Sequence, residues 1–281
     1  MNNYSVVNYH VTNRCNFHCS YCFAKFKEPE ASLTDAKTIV DNIASYFREC
    51  GITDGRINFA GGEPLLYRHL DELIDYAHSI GVLVSVISNG FLLTEERIER
   101  WKGKVSCIGI SVDSLRDNTN RSIGRCCEEK TLDLKRLVSL SQKIRECSIE
   151  LKVNTVVSKR NLDEDLTALY LSLKPDRIKF LQMHLIRGVN DKAEADRITE
   201  EEFKAFCSRY QSLSPEPVCE SEGSMENSYL MVNPAGKFQL NNGGRYETFG
   251  SLKTTPFSEI LKKAPMDSDK FNSRYTGGRV Q

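Results

Sequence analysis

The sequence has no long apolar run and no excess of charge of either sign. No window approaches the ~18–20 consecutive apolar residues of a membrane-spanning helix, and the N-terminus lacks the features of a signal peptide. The 38 Lys and Arg residues balance the 38 Asp and Glu residues, so no general electrostatic attraction draws the chain to nucleic acid or anionic lipid. We therefore expect a cytoplasmic, monomeric, globular protein that binds neither membranes nor nucleic acid directly.

The ten cysteines do not suggest a disulfide framework. Such frameworks are typical of short secreted chains with little core, whereas a chain of 281 residues can bury about three-quarters of its unfolded surface. We therefore expect reduced thiols. Three of the cysteines lie within residues 15–22, and crowding of this kind is typical of metal sites.

Short apolar segments rich in β-branched residues alternate with segments of helical spacing. The predicted strands are Val6–Val11, Arg56–Phe59, Val82–Ser88, Cys107–Val112, Leu151–Val157 and Arg177–Met183, and the predicted helices are Leu33–Glu49, Leu70–Ser79, Glu95–Trp101, Leu132–Cys147, Leu162–Leu173 and Glu200–Tyr210. Alternation of this kind predicts a parallel sheet with right-handed crossovers. Six units are too few for a full eight-stranded barrel and fit a partial barrel or an open doubly wound sheet.

The alternation ends near residue 212. Turn signals follow at Asn233-Pro234, Asn242-Gly243-Gly244 and Gly277-Gly278. We therefore predict an α/β barrel over residues 1–211. Residues 212–281 are expected to form an extension of hairpins and loops that closes one end of the barrel within the same globular unit.

The most specific motif is CxxxCxxC, formed by Cys15, Cys19 and Cys22 directly after the first predicted strand. Thiolates are the ligands of iron–sulfur clusters, and three of them would leave the fourth iron of a [4Fe–4S] cluster open. The alternatives are a zinc knuckle that borrows His18 or a distant ligand, and three unrelated thiols. The aromatic Tyr21 before the last cysteine weighs against zinc, so the motif predicts an iron–sulfur site.

This loop resembles the cluster loop of radical S-adenosylmethionine (SAM) enzymes, and the resemblance extends over residues 5–185. It implies a partial (β/α)6 barrel, a [4Fe–4S] cluster held by the three cysteines, and SAM bound to the open iron. In that family one electron cleaves SAM to methionine and a 5′-deoxyadenosyl radical, which takes a hydrogen atom from the substrate.

The resemblance also implies a set of cofactor-binding residues. Glu63 in Gly61-Gly62-Glu63-Pro64 would bind the amino group of SAM, and Arg125 would bind its carboxylate. From the residues alone, the first motif is an ordinary turn between strand and helix, and Arg125 is a solvated loop residue. The full set of predicted cofactor contacts is Tyr21, Phe23, Gly61, Gly62, Glu63, Ser88, Asn89, Ser111 and Arg125.

Further stretches resemble the viperin branch of this family, a group of antiviral enzymes. They include Asn8–Thr12, Arg56–Pro64, Ile110–Ser114, Lys152–Val157, Arg177–Gln182 and Ser228–Leu230. The resemblance implies dehydration of a ribonucleoside triphosphate to its 3′-deoxy-3′,4′-didehydro analogue, a chain terminator. The alternatives are a radical SAM enzyme that modifies a peptide or cyclises a nucleotide, and a zinc-binding interaction module.

The charges on two predicted strands suit a triphosphate. Lys152 and Asn154 lie two residues apart and therefore share a face of one strand, as Arg177 and Lys179 do on the next. If that face lines the barrel, the cations require an anion there. If it is external, they are solvated. The resemblance favours the inward orientation and adds Asn8, Arg56 and Asn58 as substrate contacts.

The C-terminal segment is expected to complete the site. By resemblance, Tyr229 lies near the ribose and donates the hydrogen that quenches the last radical, whereas its alternative is ordinary packing. Gly277, Gly278 and Arg279 would fold over the phosphates through backbone N–H groups. The implied partners are the nucleoside triphosphate, an external one-electron donor of flavodoxin or ferredoxin type, and a nucleotide kinase that supplies the substrate.

Overall fold

A computed structural model describes residues 3–24 and 28–276. The strands are β1 (Val6–Thr12), β2 (Arg56–Gly61), β3 (Leu83–Ser88), β4 (Val105–Ser111), β5 (Glu150–Val157), β6 (Arg177–Gln182), β7 (Val218–Glu220), β8 (Met231–Val232), β9 (Lys237–Asn242) and β10 (Arg245–Ser251). The helices are α1 (Leu33–Glu49), α2 (Leu70–Ser79), α3 (Glu95–Trp101), α4 (Asp117–Ile123), α5 (Leu134–Glu146), α6 (Thr167–Leu173), α7 (Glu200–Ser208), α8 (Glu222–Met225), α9 (Phe257–Leu261) and α10 (Ser268–Thr276). The described residues contain no helix that is both long and apolar enough to cross a membrane.

The predicted alternation of strands and helices is confirmed at all six strands. Helix α1 shows why the pattern was readable: Ser32 caps it by accepting a hydrogen bond from the Asp35 N–H at 3.1 Å, and Ile39 and Ile43 of its apolar face are fully buried. Gly51 follows the helix with φ +66°, a left-handed conformation that glycine adopts without strain. The short helix α4 was not predicted, because its sequence Asp-Asn-Thr-Asn-Arg-Ser-Ile has low helix propensity and little apolar periodicity.

The chain divides into two compact units. The first comprises the described parts of segments 1–14, 24–86 and 224–281. Its strands follow the order β10-β9-β8-β1-β2-β3, in which β1, β2, β3 and β8 run parallel and β9 is antiparallel to β8 and β10. The predicted C-terminal hairpin is therefore present as β9 and β10, and α9 and α10 add helices that were not predicted there.

The second unit comprises segments 15–23 and 87–223. Strands β4, β5, β6 and β7 lie side by side and run parallel. One face of β6 packs on helices: the ring of Phe180 lies 5.1 Å from the rings of both Phe206 and Tyr210 and 5.7 Å from that of Tyr170. That face is the hydrophobic core of the unit, so side chains that alternate with Phe180 point away from the helices.

Both ends of the described chain contribute to the first unit. The C-terminal strand β8 pairs with β1, with Asn8 opposite Met231, so the last segment continues the sheet that the first strand begins. The loop with the three cysteines belongs to the second unit, whereas β1, which precedes it, belongs to the first.

Candidate active site

The three cysteines of the predicted cluster loop are free thiols and are each partly exposed. Two of them receive N–H donors from their own unit. The Phe17 N–H lies 3.3 Å from Cys15 Sγ, and Arg125 Nη1 lies 3.9 Å from Cys19 Sγ. Burial raises the pKa of the Cys19 thiol to about 12, whereas the Arg125 guanidinium acts in the opposite direction. Donors of this kind stabilise sulfur that carries negative charge.

Arg125 is the centre of a buried polar network. It is 8% exposed, forms an ion pair of 3.1 Å with Asp113, and donates to the Ser111 carbonyl at 2.5 Å. The Tyr21 hydroxyl also donates to Asp113, and the other carboxylate oxygen accepts from the Val156 N–H at 2.8 Å. Removing one member of a buried ion pair typically costs about 3–5 kcal/mol, so this network fixes the cluster loop against β4 and β5.

Asn89 connects the end of β3 to the same loop. Its Nδ2 donates to Asn16 Oδ1 at 2.8 Å and lies 3.8 Å from Cys15 Sγ, while its Oδ1 accepts from the Phe91 N–H at 2.9 Å. The neighbouring Ser88 is buried, and its hydroxyl accepts from the Gly90 N–H at 2.9 Å. The predicted cofactor residues Asn89, Ser111 and Arg125 are therefore brought together around the cysteine loop.

Gly124 and its neighbour Ile123 hold the cysteine loop through backbone hydrogen bonds. Gly124 adopts φ +87°, its carbonyl accepts from the His18 N–H at 2.9 Å, and the Ile123 carbonyl accepts from the Ser20 N–H at 2.8 Å. An added Cβ would collide with the His18 carbonyl, which is backbone and cannot move aside cheaply.

We therefore expect Gly124→Ala to lower iron and sulfide content several-fold after anaerobic reconstitution, as measured by metal analysis and visible absorbance. Gly103→Ala is the matched control, because Gly103 has φ +74° but nothing within 4 Å of the added Cβ. Both variants carry a similar backbone cost of ~1–2 kcal/mol. Equal iron content in the two variants would contradict this role of Gly124.

The donor set fits a [4Fe–4S] cluster. Each iron of a cluster takes its own thiolate, so the ligands need not converge on one point. Among the described residues, no three His, Cys, Asp or Glu side chains do converge on a single ion. Three partly exposed thiols in one loop, with N–H donors toward Cys15 and Cys19, match the thiolate ligation and sulfur hydrogen bonding that clusters use.

The Gly61-Gly62-Glu63-Pro64 motif contributes to packing and to a helix cap in the first unit. A Cβ on Gly61 would collide with the Thr12 carbonyl, and one on Gly62 with the Arg14 carbonyl. The Glu63 side chain is fully buried and accepts from the Leu65 N–H at 3.2 Å, which caps a short 3-10 turn. Close backbone approach therefore explains both glycines, and the SAM contact of Glu63 stays a prediction. Phe23, also a predicted cofactor contact, is half-buried at the end of the cysteine loop.

The cations of β5 and β6 share the face that points away from the helices. Lys152 is opposite Arg177, and Asn154 is opposite Lys179, in the parallel register. The alternate residue Phe180 lies in the helix-covered core, which settles the orientation within this unit. Gly109 leaves room for them: a Cβ there would lie 3.1 Å from Lys152 Cε and 3.3 Å from Asn154 Nδ2. The sequence left this orientation open, and within this unit the cations lie on the face away from the helices.

Strand β7 adds a carboxylate that the sequence did not predict. Glu220 is 3% exposed and forms an ion pair with Lys179. It follows Val218, the residue opposite Lys179, by two positions and therefore shares the cationic face. No strand signal was recognised at residues 218–220, so nothing in the sequence assigned Glu220 to this face.

A second acidic side chain, Glu222 at the start of α8, contacts residues that follow β6. Glu222 pairs with His184 at 3.2 Å and with Arg197 at 2.8 Å, and its carboxylate also accepts from the Leu185 N–H. These partners, His184 foremost, lower the pKa of Glu222 to about 2. Glu222 is therefore a charged side chain, held by His184, Arg197 and the Leu185 N–H.

Two predicted substrate residues of the first unit, Asn8 and Asn58, lie opposite each other on β1 and β2. Asn58 Nδ2 donates to Asn8 Oδ1 at 2.9 Å, and the Ser85 hydroxyl donates to Asn58 Oδ1. Asn8 Nδ2 in turn donates to the Leu230 carbonyl at 3.3 Å. Arg56 lies two residues before Asn58 on the same face and is half-buried. The structure thus joins Asn8 and Asn58 by a hydrogen bond and places Arg56 on the same face of β2.

Tyr229, also in the first unit, is half-buried and stacks on a buried arginine of α10. The Arg274 guanidinium carbon lies 3.8 Å from the centre of the Tyr229 ring. Arg274 itself donates to the Ser228 and Ser224 carbonyls at 2.7 and 3.1 Å. Gly277, Gly278 and Arg279 lie outside the described residues.

Comparison with known proteins identifies the class. The family model of the Radical SAM superfamily matches residues 9–173. The S-adenosylmethionine-dependent nucleotide dehydratase of Flammeovirga pacifica is 33% identical and covers 95% of this chain and 93% of its own length. The chain therefore belongs to the radical SAM superfamily and, within it, to the S-adenosylmethionine-dependent nucleotide dehydratases. It is an enzyme of dehydratase type whose cofactors are a [4Fe–4S] cluster and SAM.

Two further relatives carry the same description. The dehydratase RSAD2 of Danio rerio is 32% identical, with 98% of this chain and 77% of that protein covered. The Lacinutrix mariniflava dehydratase is 35% identical over 95% of this chain, but the chain spans only 57% of that relative. The predicted viperin-like membership of the radical SAM family is confirmed by these similarities.

Solved structures support the fold. A Streptococcus suis SuiB structure bound to the precursor peptide SuiA has a TM-score of 0.70 at 14% identity, covering 95% of this chain and 66% of that one. The enzyme anSMEcpe with bound AdoMet has a TM-score of 0.67 at 12% identity, covering 96% and 82%. The predicted partial barrel of the radical SAM family is therefore confirmed as the fold class.

Proposed function

We propose that this enzyme dehydrates a ribonucleoside triphosphate, CTP, UTP or GTP, to its 3′-deoxy-3′,4′-didehydro analogue, an antiviral chain terminator. The observation that carries the proposal is the set of Lys152, Asn154, Arg177 and Lys179 on the face away from the helices, in the same compact unit as the cysteine loop. A triphosphate bears close to four negative charges, and three fixed cations with an amide suit it.

The cofactor site is proposed from the residues around the loop. Cys15, Cys19 and Cys22 would hold the cluster, and the Arg125 network would fix the loop and the carboxylate of SAM. When bound, these cofactors would supply the 5′-deoxyadenosyl radical chemistry needed to abstract hydrogen from C4′ of the nucleotide. The remaining proposed SAM contacts are Tyr21, Phe23, Gly61, Gly62, Glu63, Ser88, Asn89 and Ser111.

The protein's contribution is to position the substrate and exclude water. Lys152, Arg177 and Lys179 would bind phosphate oxygens, and Asn154 would donate from its amide. The proposed contacts outside this unit are Asn8, Arg56, Asn58, Gly277, Gly278 and Arg279. Binding by several fixed charges would hold C4′ in one orientation, which a radical abstraction requires for a single product.

Loss of the 3′-hydroxyl from the nucleotide radical consumes one electron and one proton. The 3′-oxygen leaves as water after taking up the proton, and the electron restores a closed-shell product with a C3′–C4′ double bond. We propose that Tyr229 supplies both as the hydrogen atom of its O–H group, and that an external one-electron donor, with a proton from solvent, then restores the tyrosine. The stacked Arg274 guanidinium would hold the phenol ring in place during that transfer.

The test is an anaerobic incubation of the reconstituted enzyme with SAM, a strong reductant, and CTP, UTP, GTP or ATP in separate reactions. Mass spectrometry is expected to show 5′-deoxyadenosine together with a triphosphate lighter by one water for one of the nucleotides. SAM cleavage with no dehydrated nucleotide in any reaction would overturn the proposal and point to another substrate.

A further inference from the structure

One carboxylate, Glu220, lies among the cations proposed to bind the triphosphate. It is 3% exposed and paired with Lys179, and it belongs to the same face as Lys152 and Arg177. A carboxylate beside phosphate oxygens would repel them. A buried acid at this position therefore needs a role that a phosphate contact does not provide.

The register of the strands gives the order of the groups. Lys152 and Arg177 form the first row, Asn154 and Lys179 the second, and Glu220 lies in the third, opposite Leu181. Successive rows on one face of a strand are ~7 Å apart. Cations thus occupy the first two rows, and the acid follows toward the carboxyl ends of the strands.

The cysteine loop approaches those carboxyl ends. Arg125, which lies 3.9 Å from Cys19 Sγ, donates to the carbonyl of Ser111, the last residue of β4. A nucleotide with its phosphates on the two cationic rows and its C4′ toward the loop would therefore place its sugar at the level of Glu220.

We propose that Glu220 accepts a hydrogen bond from the 2′-hydroxyl of the substrate and so selects ribose over 2′-deoxyribose. A carboxylate has about four acceptor positions, so the Lys179 ion pair leaves capacity for a hydroxyl. The 2′-hydroxyl is favoured over the 3′-hydroxyl because the 3′-oxygen must gain a proton to leave as water, and a carboxylate acceptor would withdraw one. This inference rests on the proposed function.

The test compares the wild type with Glu220→Gln on the ribonucleoside triphosphate that is turned over and on its 2′-deoxy form. A hydrogen bond to a charged group contributes about 1.5–3 kcal/mol, or roughly 10- to 150-fold. We expect the wild type to prefer the ribonucleotide by at least about tenfold in kcat/KM. Glu220→Gln should narrow that ratio severalfold, and Glu220→Ala, which has no acceptor, should bring it near one.

The ratio of kcat/KM for the ribonucleotide to that for the 2′-deoxynucleotide is the informative quantity. Loss of the Glu220–Lys179 ion pair would alter phosphate binding equally for both nucleotides, so it would not change this ratio. Equilibrium dialysis of the two triphosphates against cluster-loaded protein gives the corresponding ratio of dissociation constants without turnover. Glu222→Gln is the matched control, since Glu222 pairs with His184 and Arg197, whereas Lys179 pairs with Glu220, and its ratio should equal that of the wild type.

The possible failures are distinguishable. An unchanged ratio in both Glu220 variants, with iron content as in the wild type, would overturn the role of Glu220 and leave the proposed function intact. Absence of any dehydrated nucleotide and of any triphosphate binding in the wild type would overturn both.

Discussion

Replacement of Cys19 by alanine is expected to abolish cluster assembly and SAM cleavage together. Cys19 is one of the three thiols in the loop, and its sulfur lies 3.9 Å from Nη1 of Arg125. With two thiolates left, a cubane cluster loses a corner ligand, so we expect iron content near background and 5′-deoxyadenosine below detection. Metal analysis, visible absorbance and mass spectrometry after anaerobic reconstitution measure these quantities.

Cys50→Ala is the matched control for that experiment. Cys50 is a half-buried free thiol just after α1, far along the chain from the loop. The control should load iron and cleave SAM as the wild type does. If Cys19→Ala retained a full complement of iron, the assignment of the three cysteines as cluster ligands would be wrong.

Replacement of Lys152 by alanine is expected to raise the KM for the nucleotide by roughly 10- to 100-fold while iron content stays unchanged. The reason is the loss of one charge-assisted hydrogen bond of about 1.5–3 kcal/mol. Lys152 points to the same face as Gly109, away from the helix-covered core, so removal of its side chain should leave the fold intact. Steady-state kinetics across nucleotide concentrations, with metal analysis of the same samples, measure both quantities.

Lys204→Ala controls for a simple loss of positive charge. Lys204 is an exposed lysine of α7 that pairs with Glu200, a contact of the kind that contributes little. Its KM should match that of the wild type. A Lys152→Ala enzyme with wild-type kinetics at every nucleotide concentration would show that the cationic face does not bind the substrate.

The parallel strands were predictable because each is a short β-branched segment between clear helices. The bounds of α1, α2 and α3 agree with the prediction, since capping residues such as Thr94 and terminal glycines such as Gly51 mark their ends. Helix α6 begins five residues later than predicted, because Asn161 accepts the Ser158 N–H and forms a turn first.

The cluster loop was also predictable, because the CxxxCxxC spacing is visible in a single sequence. The shared face of the cationic strands was predictable from the two-residue period of their charged side chains. The partners that hold these residues were not. Asp113 lies one residue beyond the predicted strand that contains Ser111, but only the fold brings Arg125 and Tyr21 to its carboxylate. Arg274 was likewise missed, because α10 has a weak helical signal.

The features that the sequence did not predict depend on contacts between residues far apart in the chain. Glu220 meets Lys179 because β7 adds to the edge of β6, and a three-residue strand has too little pattern to be recognised. Pairing of β8 with β1 joins the two ends of the described chain, and no local signal encodes that pairing.

We propose that the enzyme removes hydrogen from C4′ of a ribonucleoside triphosphate. The most direct test supplies the nucleotide with deuterium at C4′ and measures the mass of the 5′-deoxyadenosine formed. We expect 5′-deoxyadenosine one mass unit heavier, together with a dehydrated triphosphate that has lost the label. Unlabelled 5′-deoxyadenosine alongside an intact, still deuterated nucleotide would contradict the proposal.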